Sequence, residues 1–150
     1  MKNLVDYISL NEALDYSPDN SDGAADWRAD FLKETIQLLI DKCKECMDYA
    51  NKHSDDSGLF SKAAWAWSVL GMSLPYLEML INKEYSWYIN DEILDILYSA
   101  IEECENDEEF HKGWKDKSVF EKSLKDQRTR IDKIKNAKTT LDKKYPNREI

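Results

Sequence analysis

The chain has 150 residues, 30 Asp and Glu against 21 Lys and Arg, and a formal net charge of −9. That length fits one domain, and such a domain buries roughly 68–70% of its unfolded surface, so folding requires no metal or disulfide. Three cysteines do not read as a disulfide framework, and four Gly with three Pro leave few punctuation points for a β fold.

Met1 to Asp6 contains no apolar run of signal-peptide length. The fifteen uncharged residues between Lys62 and Glu78 fall short of the roughly 20 that cross a bilayer, and Gly71 and Pro75 interrupt them. The expectation is a cytoplasmic protein with no membrane association.

Apolar residues recur every three or four positions, and no stretch alternates long enough to form a strand. The expected fold is all-α: a single-domain bundle over residues 1–150 of about five or six helices. A short helix is expected at Leu4–Tyr16, with Leu4, Ile8 and Leu14 inward, followed by a loop through Ser17–Gly23, whose residue types favour turns. A second helix runs from about Ala25 to His53, with Trp27, Phe31, Ile36, Leu39, Ile40, Cys43, Met47 and Ala50 read as one apolar stripe. Residues 51–58 close it. The third helix, from Leu59 to about Lys83, is apolar around most of its circumference and is expected to be central, bent or split near Pro75. The stretch from Glu84 to Ile89 is expected to turn the chain. Asn90 then caps a fourth helix with Ile93, Leu94, Leu97, Ile101 and Cys104 on its inner face. The last helix spans about Ser118 to Lys144, ahead of Pro146.

Charge is divided along the chain. Residues 1–111 form an acidic body with 24 acidic against 8 basic residues, a balance of −16; residues 112–150 hold 6 against 13, a balance of +7. Within the basic C-terminal helix, Phe120, Leu124, Ile131, Ile134 and Leu141 make a stripe of coiled-coil width, with Gln127 and Lys138 in its gaps. Such an asymmetry bears on partners and association. Three readings follow: the basic helix docks on the acidic body, the body faces a basic partner, or the helix meets nucleic acid. Glu121, Asp126, Asp132 and Asp142 on that helix, and the acid of the body, disfavour the third.

No chemistry-bearing motif stands out. Cys43-Lys44-Glu45-Cys46 lies mid-helix with no strand before it, so it lacks the helix N-terminus that activates a redox pair. Cys104, His53 and His111 do not complete zinc-ligand spacing. Cys104 and His111 are seven apart with no third orienting group. The run from Glu102 to Glu109 lacks the residue order of a calcium loop. The expectation is therefore no enzyme, no catalytic residue, no metal and no cofactor.

What remains is recognition. Glu102, Glu103, Glu105, Asp107, Glu108 and Glu109 form the most acidic run, expected at a helix C-terminus, where it opposes the dipole and suggests a contact role. Trp65, Trp67, Tyr85 and Trp87 are candidate aromatic anchors. The leading reading is a non-catalytic module that binds another protein of basic character, in its most concrete form an immunity or inhibitor protein capping a target such as a nuclease toxin. The second is a scaffold accessory protein of phage or mobile-element type, self-associating as a homodimer through the seam Phe120, Leu124, Ile131 and Ile134. Nucleic-acid binding through Lys122, Lys125, Arg128, Lys133 and Lys135 comes third.

Overall fold

A computed structural model describes residues 21–53, 62–82 and 86–147. Among them are five α-helices and no strand: α1 (Asp22–His53), α2 (Lys62–Asn82), α3 (Asp91–Asn106), α4 (Glu108–Lys112) and α5 (Lys117–Lys144), with a 3₁₀ turn at Ser86–Tyr88. The expected helix at Leu4–Tyr16, the turn from Ser54 to Gly58 and Tyr85 lie outside the described residues.

Each boundary has a local cause. The Ser21 hydroxyl accepts from the Ala24 amide (3.1 Å), so α1 starts at Asp22, inside the stretch expected to be loop. Asn90 caps α3 by accepting from the Ile93 amide (3.0 Å), with Asp91 and Glu92 in the favourable first turn. Asp116 accepts from the amides of Ser118 and Val119 to start α5.

The apolar helix α2 is central and packs against α1, α3 and α5. It runs unbroken through Pro75 and is not split there. Proline at 75 leaves the Gly71 carbonyl without its intrahelical donor. Both residues face solvent, where water can take that carbonyl.

The core joins all five helices: Ile36, Ile40 and Cys43 from α1, Val69, Leu74 and Leu77 from α2, Ile93, Leu97 and Ile101 from α3, Phe110 from α4, and Phe120, Ile131 and Ile134 from α5. A buried polar pair within it is self-satisfied, Cys43 Sγ against Ser73 Oγ at 3.2 Å.

Two parts of the expected α1 stripe are corrected. Trp27 is 78% and Phe31 63% exposed. At 100° per residue they stand about 180° and 140° from Ile36, so they cannot share its face. The acidic run is corrected too. It does not sit at one helix end: α3 stops at Asn106, and Asp107 caps α4 by accepting from the Phe110 amide (3.0 Å), with Glu108 and Glu109 in its first turn. Half of the run therefore complements a helix dipole instead of opposing it.

Candidate functional site

The thiols are built for packing. Cys104 is fully buried and directed at the Ala63 carbonyl (3.3 Å); burial, reinforced by the carboxylates of Glu103, Asp107 and Glu105, pushes its pKa up to about 12. Burial also raises the thiols of Cys43 and Cys46. A thiol held protonated is the reverse of an activated nucleophile. The His111 ring nitrogen Nε2 meets the Cys104 carbonyl (3.0 Å), not its sulfur, and the ring lies against Phe120. Among the described residues no group of three His, Cys, Asp or Glu stands close enough to hold a metal ion.

The basic helix spends part of its charge within the chain. Arg130 forks onto Glu78 of α2, Arg128 pairs with Glu105 of α3, and Asp132 accepts from the Tyr98 hydroxyl (2.7 Å). Lys138, at a polar gap in the stripe, is buried with its ammonium between Asp142 (2.7 Å) and Asp91 (3.0 Å). Burial alone would lower its pKa, but the two carboxylates outweigh that and hold it above the ordinary lysine value. The seam Phe120, Leu124, Ile131 and Ile134 is buried in the chain's own core. A second copy would therefore meet these four side chains already covered by the chain's own helices.

The six acidic residues expected to act together have different tasks. Glu105 is taken by Arg128, Asp107 is a helix cap, and Glu109 pairs with Lys112 (3.1 Å). Glu102, Glu103 and Glu108 make no ion pair among the described residues. α3 as a whole carries Asp91, Glu92, Asp95, Glu102, Glu103 and Glu105 and no basic residue. Its solvent side adjoins α1 across a cleft of about 310 Å³, where Asp48, Glu92 and Asp95 face Lys44. Lys44 closes onto Glu92 (2.9 Å), leaving Asp48 and Asp95 on the acidic side.

The aromatic candidates separate as well. Trp67 turns inward and meets Trp114 (5.7 Å) and Phe110 (5.9 Å) in a cluster around Phe120. Trp87 rests on Tyr145 (4.9 Å). Trp65 stays half-buried against the edge of Tyr49 (4.9 Å), and its ring N–H has no hydrogen-bond partner among the described residues.

The feature that the sequence reading missed lies between α1 and α2. Of the eight large hydrophobic side chains exposed among the described residues, six are on these two helices: Trp27, Phe31, Leu38, Tyr49, Met72 and Met79. The Tyr76 hydroxyl and Thr35 Oγ1 join the helices at 2.6 Å. Phe31 and Leu38 flank Thr35 at i−4 and i+3, and Met72 and Met79 flank Tyr76 in the same way, so the four side chains border one groove. Toward the other end it opens into a cleft of about 540 Å³ between Lys42, Glu45, Tyr49, Trp65 and Met72. The signal was present in the spacing, since Trp27, Phe31 and Leu38 fall within about 40° on a helical projection.

No family model, no curated protein and no solved structure matches this chain. Among the described residues no helix is long and apolar enough to cross a membrane.

Proposed function

We propose that this chain is a non-catalytic module that binds a basic protein. The observation that supports the reading is the acid left over once the basic helix has docked. Arg128, Arg130 and Lys138 neutralise Glu105, Glu78 and Asp91. Asp48 on α1, Asp95, Glu102 and Glu103 on α3 and Glu108 on α4 remain without an ion pair among the described residues, and Asp48 and Asp95 line one cleft. A surface with this excess of acid accelerates and selects encounters with a surface of opposite charge. In its most specific form the partner is an enzyme acting on a polyanion. The module would then inhibit by occlusion, its carboxylates standing where phosphates would bind.

The test is capture of the partner by the full chain and by the triple charge reversal Asp95→Lys/Glu102→Lys/Glu103→Lys, over a salt series. The expected result is a basic protein bound by the natural chain, released as ionic strength rises past the range where the screening length drops below about 8 Å, and lost by the variant. Capture that is indifferent to salt and to charge reversal would overturn the reading. If the captured partner is an enzyme, stoichiometric loss of its activity is the expected companion result.

A further inference from the structure

Exposed apolar side chains are ordinary when scattered singly, but here they are gathered. The groove around the Thr35–Tyr76 contact has Phe31 (63% exposed) and Leu38 (58%) on one wall, Met72 and Met79 on the other, and Trp27 standing free at its α1 end. On each wall the two apolar side chains stand seven positions, about 10 Å, apart on one helical face, which gives the groove length for the apolar face of a bound helix. Methionine lets such a wall adapt to the side chains it receives.

The two rims differ in charge. On the α1 side Asp30, Glu34, Asp41 and Asp48 each precede a groove residue by one position, which places them one step outward around the helix. Asp30, Glu34 and Asp48 make no ion pair among the described residues. On the α2 side the outward positions are Ser68, Gly71 and Pro75, with no charge between Lys62 and Glu78. An occupant is therefore apolar on the face it buries and basic toward α1. A second copy of the chain would instead bring its own α1 carboxylates against these, an unfavourable like-charge juxtaposition.

We infer that the α1–α2 groove receives an amphipathic basic helix of the partner protein, with Trp27 as the principal anchor. The inference rests on the reading that the partner is basic, and adds the place and mode of attachment.

The probe is an 18-residue synthetic Leu/Lys peptide with leucines at helical spacing, titrated into the full chain. A peptide of the same composition without an apolar face and a Leu/Glu counterpart serve as controls. Backbone amide NMR shifts and calorimetry are the readouts. The expected result is saturable binding of the Leu/Lys helix alone, with shifts centred on Thr35 and Tyr76. Trp27→Ala should weaken it at least tenfold, and Leu38→Ser and Met79→Ser several-fold, each variant melting like the natural chain.

Equal binding by the rearranged peptide, or shifts confined to Glu102 and Glu108, would overturn the groove while leaving the basic-partner reading standing. Equal binding by the Leu/Glu peptide would overturn the charge assignment. A dimer in sedimentation that Leu38→Ser dissolves would make the occupant a second copy. Binding that appears only after residues 1–20 are removed would make it the chain's own N-terminal segment. Either result overturns the proposal.

Discussion

The two flanks of the central helix α2 are finished in opposite ways. On the α5 side Glu78 meets Arg130, the aromatic cluster around Phe120 closes the end of the bundle, and the four seam residues are buried. On the α1 side, Cys43, Ile36 and Leu39 close the interior. Beyond the Thr35–Tyr76 contact, however, the same two helices continue outward in bare Phe, Leu and Met. The difference lies in what adjoins each flank. α5 contributes long basic side chains that cover apolar surface with their stems and meet carboxylates with their heads. Nothing among the described residues does the same for the groove. A flank satisfied within the chain contributes stability, and one left open is available for recognition.

The largest expected effect comes from the closed flank. Phe120→Ala removes a fully buried ring and should cost about 3–5 kcal/mol, read as a lowered denaturation midpoint with unchanged m-value. A loss under about 1 kcal/mol would mean that α5 is not part of the cooperative core.

Next is Tyr98, whose hydroxyl is raised to about 12, first by burial and then by Asp132. The folded chain holds this proton more tightly than the unfolded one. Its contribution is therefore complete below the free-tyrosine pKa of about 10 and is lost as pH rises from there through 12. Lys138, also raised, acts in the same alkaline window. Tyr98→Phe should cost about 1 kcal/mol at pH 8 and flatten the alkaline fall in stability, measured by denaturation at a series of pH values. An alkaline limb as steep as the natural chain's would refute the assignment.

Smaller is Glu78, whose carboxyl Arg130 holds below the usual range by hydrogen bonding. A lowered pKa stabilises above the unfolded value and ceases to do so as pH falls through the folded one. Glu78→Gln should therefore cost about 0.5–1 kcal/mol at pH 7, and the gap between the two chains should close in acid. A gap unchanged at pH 3 would mean that the charge is irrelevant.

The smallest effect sharpens the comparison most. Trp27→Ala and Leu38→Ser should each leave the melting midpoint nearly unchanged, within about 0.5 kcal/mol. Losses near that of Phe120→Ala would show that the open flank is core after all.

Much of this was legible from residues. The period of the apolar positions located the helices to within a few residues. Asn90 capped where its side chain requires, and the inner faces of α3 and α5 are those their spacing predicts. The reading failed where one local signal admitted two outcomes. Trp27 and Phe31 are apolar and helically spaced, which marks a stripe but does not say that α1 carries two. Trp67 and Trp65 are equally aromatic, yet one joins the core and the other does not.

Helix propensity, capping and apolar period act within a few residues of the chain, so the sequence by itself determined an all-α molecule with an acidic body and a basic last helix. Long-range packing decided the rest. α2 has a limited circumference, and α1, α3 and α5 all pack against it. Their packing determines which apolar stripe of α1 turns inward, which carboxylates meet Arg128, Arg130 and Lys138, and which remain in water. The division of charge was thus written in the chain, but the pairing of Arg128, Arg130 and Lys138 with the body and the open, acid-rimmed groove came only with the tertiary structure.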